Sequence, residues 1–437
     1  MGAGSVNPRV SFVSVFPLDF VSPCVSPGSP RATLARLRSV AREVHGQGRG
    51  WTLLAVAAGW FLVLGLRFVV PALLPIITED FPVSNAAAGA AITLLWITYA
   101  LVQFPAGALV DRLGERRLLA ASTVAASVGL VGYALSPTFA VFLLATALFG
   151  FGSGLYGPPR GTVLSRTFPD TDGVAFGTVL AAGSIGAALL PVVAIVVADA
   201  VGWRVALGAT IPGFLLVTVA LYRVVPGAGR SVRADGGAIS LRKRAGAVRR
   251  AIAGRGVVLA VVGATLMLFI FQGLTAFYTT YLVEVKGLTE GTAGVLFGLL
   301  FVSGAVWQSL GGGFADRYGH GSILSVVALS GMVPLALLPF VSGLVPLALV
   351  AVFIGVRLSM APITNAYIVS LLPANVRGTA WGLLRTGFFT VGAFGSTVVG
   401  AMADRGLFAE AFFLLAGLSV VAGLVYLFLP AREQVAD

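Results

Sequence analysis

Gly107-Ala108-Leu109-Val110-Asp111-Arg112-Leu113-Gly114 and Gly312-Gly313-Phe314-Ala315-Asp316-Arg317-Tyr318-Gly319 are two copies of one pattern, G-x-x-x-D-R-x-G. Each closes an apolar run of about 20 residues or more, the first at 86–110 and the second at 291–313. A membrane-crossing helix needs about 20 mostly apolar residues. Working outward from the two copies, ten more such runs appear: 52–76, 118–136, 140–163, 174–198, 205–224, 256–280, 322–341, 345–370, 379–402 and 409–429. The copies follow the second and the eighth of the twelve runs, the same place in each set of six. The expected fold is therefore an all-α membrane protein of twelve transmembrane helices in two pseudo-symmetric six-helix bundles. The runs are continuous, so the roughly ten-residue alternation of a membrane β-barrel is missing.

Composition agrees. Of 437 residues, 57% are hydrophobic and 11% charged, against about 25% charged in soluble domains. That excludes an ordinary soluble enzyme and a disordered chain. One cysteine, Cys24, and two histidines, His45 and His320, leave no disulfide framework or Cys/His metal site, and no metal or other cofactor is expected. No G-x-x-x-x-G-K-S/T loop is present, so ATP hydrolysis is not the energy source. A membrane enzyme would need a base, nucleophile or metal cluster that the chain does not supply. The net charge of +12 is spread over loops beside the bilayer with no aromatic interleaving, which argues against nucleic acid.

The expected division is a disordered cytoplasmic tail at 1–50, a bundle at 51–224, a basic cytoplasmic loop at 225–255, a second bundle at 256–430 and a short tail at 431–437. With the N-terminus inside, Arg112, Arg116, Arg117, Arg166, Arg317, Arg377 and the arginines of the tail and central loop are cytoplasmic. Only Arg204, Lys286 and Arg405 fall outside, among Glu79, Asp80, Asp199, Glu284 and Glu290. This asymmetry places both termini in the cytoplasm. Localisation in the cell inner (cytoplasmic) membrane is expected, as a monomer in contact with membrane lipid.

The repeated pattern has readable physics. Gly107 and Gly312 allow close helix contact. Asp111 and Asp316 can cap a helix N-terminus or pair with an arginine. Gly114 and Gly319 permit a tight turn. Arg112, Arg116 and Arg117 face the anionic leaflet or pair across the bundle. Two similar bundles can rock about a central site, as transporters do.

The segment Gly107 to Arg117, with twelve runs, an inside N-terminus and a long central loop, resembles the major facilitator superfamily over about residues 52–430. The resemblance implies secondary transport by alternating access. It implies that Asp111 takes part in a charge contact between halves that breaks during the cycle, with Asp316 as its second-half counterpart and Gly107, Arg112, Gly114, Arg116, Arg117, Gly312, Arg317 and Gly319 around them. It further implies that spans one, four, seven and ten line the central path. Many proton-driven exporters of the family carry an arginine early in the fourth span where this chain has Thr146. Their Gly-Pro signature in the fifth span is matched only in part, by Gly183-Ser184-Ile185-Gly186 with Pro191 five residues on. Both departures count against an exporter.

A charge at mid-bilayer is costly and marks function by default. No Asp or Glu lies well inside a run. Arg67 and Arg357 lie deep in the first and tenth, Arg160 toward the inner end of the fourth beside Pro158 and Pro159, and Arg385 in the eleventh. Arg160 can instead snorkel to headgroups, and Arg385 can pair with carbonyls. Arg67 and Arg357 are expected to face one cavity and a small organic or inorganic anion, which arginine binds through two parallel hydrogen bonds. Tyr99 and Gln103, at i and i+4, together with Gln272, Tyr156 and Asn365, can line the same path or bond helix to helix. Asn365, eight residues after Arg357, is expected on its face of the helix. Proton-coupled symport, uniport and anion exchange all remain open. The alternatives are a proton-coupled multidrug or metabolite exporter of the same superfamily and, further off, a non-transporting membrane sensor.

Overall fold

The computed structural model describes residues 49–169, 171–227, 241–373 and 376–430. The tail at 1–48, the middle of the central loop at 228–240 and the end at 431–437 lie outside the described residues.

Twelve helices are long and apolar enough to cross a membrane: Arg49–Ala72, Asn85–Leu113, Glu115–Ala134, Phe139–Thr167, Asp172–Val201, Trp203–Val224, Arg255–Glu284, Glu290–Tyr318, His320–Leu337, Leu344–Leu371, Arg377–Ala403 and Phe408–Leu427. They are spans 1 to 12 below. Span 1 has 24 residues, about 36 Å at 1.5 Å per residue, enough for a hydrocarbon core of about 30 Å. After a break at Leu73 the chain continues as a short helix, Leu74–Asp80, because Pro71 and Pro75 each withhold an N–H from the ladder. Span 4 bends at Tyr156, ahead of Pro158 and Pro159. Span 10 is interrupted by a 3-10 turn at Val356–Ser359. The central polar segment, expected to be a loop, contains an amphipathic helix, Leu241–Ile252.

The packing repeats with an offset of six spans. Span 1 packs on 5 as 7 packs on 11; span 2 on 4 as 8 on 10; span 3 on 6 as 9 on 12. The halves meet through spans 2 and 11 and through 8 and 5, which the same offset interchanges. A Cβ at Gly186 would strike the Phe61 carbonyl of span 1, and one at Gly395 the Phe269 carbonyl of span 7. Both crossings therefore require a small residue so that backbones can touch.

The two ends differ. At the end bearing the 80–85 and 404–407 turns the halves are joined. Asp404 accepts the backbone N–H of Asn85 at 2.6 Å and of Ala86 at 2.9 Å. Thr93 donates to the Ala393 carbonyl at 2.9 Å, and Thr279 to the Pro71 carbonyl at 3.2 Å. The contact of span 2 with span 11 continues as far as Phe104 and Gly382. At the other end nothing lies within 4 Å of where a Cβ would stand on Gly107, Gly173, Gly177, Gly312 or Gly313. The close helix contact expected at Gly107 and Gly312 is thus absent in this state; among the described residues no hydrogen bond joins the halves beyond Ala100 and Thr386, and the halves stand apart at this end.

Candidate functional site

Span 2 carries Tyr99 at its midpoint, buried. Three guanidinium groups converge on it from three other spans. Arg67 of span 1 lies with Cζ 4.3 Å from the Tyr99 ring centre, and also 5.0 Å from Trp60 and 5.5 Å from Trp96. Arg385 of span 11 donates from Nη2 to the Tyr99 hydroxyl at 3.5 Å, with its Cζ 5.4 Å from Phe389. Arg160 of span 4 stands 3.8 Å over the Trp60 ring.

Local structure explains each placement. The bend at Tyr156 carries Arg160 toward span 1. Tyr156 itself is anchored by its hydroxyl on the Val56 carbonyl at 2.9 Å and by stacking on Trp60. Gly59 makes room, since a Cβ there would occupy the Tyr156 ring. Trp60 precedes Arg67 by seven residues, two helical turns, so both face the same way. Trp96 and Tyr99 are three apart and Arg385 and Phe389 four apart, again on one face. The rings of Trp96 and Phe389 stack at 6.1 Å, across the boundary between halves.

The electrostatics are unbalanced. Among the described residues two ion pairs form, Arg166 with Glu115 and Arg204 with Asp80, each at 2.6 Å. Both lie at span ends. Arg67 is 2% exposed, and its Nε reaches only the Val63 carbonyl at 3.3 Å. Buried atoms without a partner collect here: Arg67 Nη2, Arg160 Nε and Nη1, Arg385 Nε, Gln103 Nε2 and the Trp60 Nε1. Buried polar atoms are ordinarily satisfied, and cations facing one another repel strongly at low dielectric. An anion between them would satisfy the free N–H groups and relieve the repulsion. The aromatic rings offer faces that stabilise the cations in its absence.

Arg357 does not join this group, a correction to the expectation that it shares a cavity with Arg67. Its Nη1 donates to Ser419 Oγ at 2.6 Å and its Nη2 to Met267 Sδ at 3.3 Å. It fills the space beside Gly331. All of these partners belong to spans 7, 9 and 12. Asn365 does not share its face either. The 3-10 turn advances roughly 120° per residue instead of 100°, so eight residues leave the two roughly 140–160° apart. Gln272 is fully buried in span 7 with both amide atoms unpartnered. Gln103 sits against Gly157, one turn below Tyr99. Trp60, Trp96 and Phe389 join the site without having been expected there, although their spacing from Arg67, Tyr99 and Arg385 is a visible signal.

At the parted end, Gly114 and Gly319 adopt φ of 79° and 88°, the left-handed region that favours glycine. Asp111, Arg112, Asp316 and Arg317 are exposed, and neither aspartate has an ion-pair partner among the described residues. Arg116 donates from Nε to the Val225 carbonyl at 2.6 Å.

The sequence profile of the Major Facilitator Superfamily matches residues 55–383. The chain belongs to that superfamily. It is a multi-pass membrane transporter with twelve spans, not an enzyme, and its superfamily moves small-molecule substrates. Its similarity to a probable sulfoacetate transporter, SauU, of Cupriavidus necator is 23% identity, covering 81% of this chain and 87% of that one. The fosmidomycin resistance protein of Escherichia coli K12 is 26% identical over 84% of this chain and 90% of its own length. The crystal structure of a bacterial homolog of the human lysosomal transporter Spinster, in an inward-facing and unoccupied conformation, aligns with TM-score 0.72 and 16% identity over 88% of this chain and 97% of that one. That likeness speaks to the fold alone.

Proposed function

We propose that this superfamily member is a secondary transporter of a small organic or inorganic anion, working by alternating access in the cytoplasmic membrane. The observation that carries the reading is the convergence of Arg67, Arg160 and Arg385 on Tyr99 with free guanidinium N–H groups and no carboxylate. Arg160 and Arg385 take the place the sequence assigned to Arg357. The anion's path to them is open at the end where Gly107 and Gly312 have parted. Arg112, Arg116, Arg117, Arg166, Arg317 and Arg377 all lie at that end, which by the distribution of positive charge faces the cytoplasm. The state described is then open to the cytoplasm. The named substrate of the Cupriavidus necator relative, sulfoacetate, is itself an anion, which supports the class without fixing the compound.

A second reading has its own support. The aromatic faces of Trp60, Trp96, Tyr99 and Phe389 would also receive an apolar drug, and shorter stretches of the chain match proteins named for multidrug resistance, 41% of it in one case. A panel of carboxylates, sulfonates and inorganic anions, with and without a pH gradient, in proteoliposomes separates the two and tests for proton symport. Arg67→Gln and Arg385→Gln are expected to weaken binding of the anion found by at least about tenfold each, the scale of a lost charge-assisted pair. Lysine at either position should restore it in part, because the planar fork is lost. Undiminished anion binding in both glutamine variants overturns the anion reading.

A further inference from the structure

Outside the central site, spans 2, 3 and 6 enclose a cavity of about 330 Å³ at the parted end, lined by Arg112, Leu113, Arg116, Arg117, Tyr222 and Gly227. Three of the six are arginines and none is acidic. Of the two acids beside them in the chain, Glu115 is buried and held by Arg166 at 2.6 Å, and Asp111, next to Arg112, is exposed and does not line the cavity. Arg116 forms the back wall. Its Nε is tied to the Val225 carbonyl, its guanidinium lies 5.8 Å from the Tyr222 ring centre, and a side chain at Gly227 would sit against it, 3.5 Å away. One N–H is thereby spent on the protein, and the two terminal amino groups are left for a ligand. Arg112 and Arg117 are exposed at the rim.

The apolar surface beside the cavity says what kind of ligand. Tyr222 and Leu113 are exposed at its mouth. From Tyr222 a line of exposed apolar residues, Val219, Leu216 and Leu215, climbs span 6 at three- and four-residue spacing toward the membrane interior. A phosphate seated among the arginines would have its ester substituents directed onto that track. We infer that this cavity binds the phosphodiester headgroup of an anionic phospholipid, with an acyl chain along span 6. Guanidinium groups match phosphate through paired N–H···O bonds, and basic pockets between spans at a charged membrane surface suit such headgroups. The site is separate from the Arg67–Tyr99 cluster and does not depend on the anion reading.

The test counts lipids retained by the purified full-length protein in native mass spectrometry, after exchange into micelles holding equal phosphatidylglycerol and phosphatidylcholine. Retention of phosphatidylglycerol is expected to exceed that of phosphatidylcholine by at least about tenfold and to fall to near parity in the triple variant Arg112→Gln, Arg116→Gln, Arg117→Gln, given about a fivefold effect per arginine at a membrane surface. If the triple variant does not fold, Arg117→Gln alone, which alters an exposed side chain, should lower the ratio by about fivefold. Arg249→Gln with Arg250→Gln, on the helix Leu241–Ile252, should leave it unchanged. Equal retention of both lipids, or an equal loss in the Arg249/Arg250 variant, overturns the inference. So does stabilisation by inorganic phosphate alone to which phosphatidylglycerol adds nothing, since the site would then take the free ion.

Discussion

Removing the Asp404 carboxylate should open the end of the molecule at which the halves are joined. Asp404 ends span 11 in the second half and accepts two N–H groups, from Asn85 and Ala86, in the first turn of span 2 in the first half. Those N–H groups have no partner within their own helix. Once the halves part at this end, both they and the carboxylate return to water. The contact therefore belongs to one state only, and its loss shifts the equilibrium. A side-chain cap is worth about 0.5–2 kcal/mol and the favourable helix dipole about 0.3–1 kcal/mol. Asp404 is exposed, so screening by solvent brings the sum to about 1 kcal/mol. That is about a fivefold change in the ratio of open to closed molecules. Asp404→Ala should produce the full change. Asp404→Asn keeps one acceptor and should produce about half the free-energy effect. Spin labels on Leu135→Cys and Phe340→Cys, at this end of spans 3 and 9 and more than 70% exposed, report the separation in a Cys24→Ser background. The long-distance population should rise in the order parent, Asn, Ala. An unchanged distribution in Asp404→Ala, or an equal change in Glu410→Gln nearby, would refute the reasoning.

Three further outcomes follow from the same geometry. Arg357→Met should leave substrate binding intact and cost little stability, since replacing a buried charge by an apolar residue is often neutral or favourable, whereas Ser419→Ala should lower stability by about 1–3 kcal/mol by leaving Nη1 without an acceptor; ligand binding and thermal unfolding in detergent check both, and lost binding in Arg357→Met would return Arg357 to the site. Asp111→Asn should slow turnover without loss of folded protein if the charge contact between halves that the superfamily resemblance implies forms when the Asp111 end closes, since Asp111 has no ion-pair partner among the described residues; Asp316→Asn should act more weakly, its loop continuing with His320-Gly321 instead of arginines, and wild-type transport rates in both would end the argument. A cysteine at Val201 should react with an impermeant thiol reagent applied to intact cells and one at Arg249 should not, each in the Cys24→Ser background; the reverse pattern would invert the topology.

Much of the fold is legible in the amino-acid order. Whether a run can span the bilayer depends on its own length and apolar content, which is local. The turn glycines Gly114 and Gly319 are local too, because a left-handed φ is a property of one residue. The amphipathic helix Leu241–Ile252 is equally local, but its polar surroundings make the whole segment look like a loop. The offset of six spans shows first in the Asp111 and Asp316 segments, and the structure extends it to the Phe61–Gly186 and Phe269–Gly395 crossings.

The site is legible as a set of residue types and illegible as a set of partners. Arg67, Arg160, Arg357 and Arg385 are all visible as cations in apolar runs, since their cost in the membrane is evident from sequence. Which of them meet is decided by helix rotation and by breaks. A bend at Tyr156 turns Arg160 inward, and a 3-10 turn at Val356–Ser359 turns Arg357 onto Ser419 of span 12. Arg385 reaches Tyr99 across 286 positions of chain, and Asp404 reaches Asn85 across 319. No local pattern encodes such a meeting, because it depends on how two separately packed bundles lean on each other. Sequence alone therefore determined that this chain crosses the membrane twelve times in two related halves. The tertiary structure alone decided which arginines share a centre and which end joins the two halves, since both depend on the relative rotation and tilt of helices that are far apart in the chain.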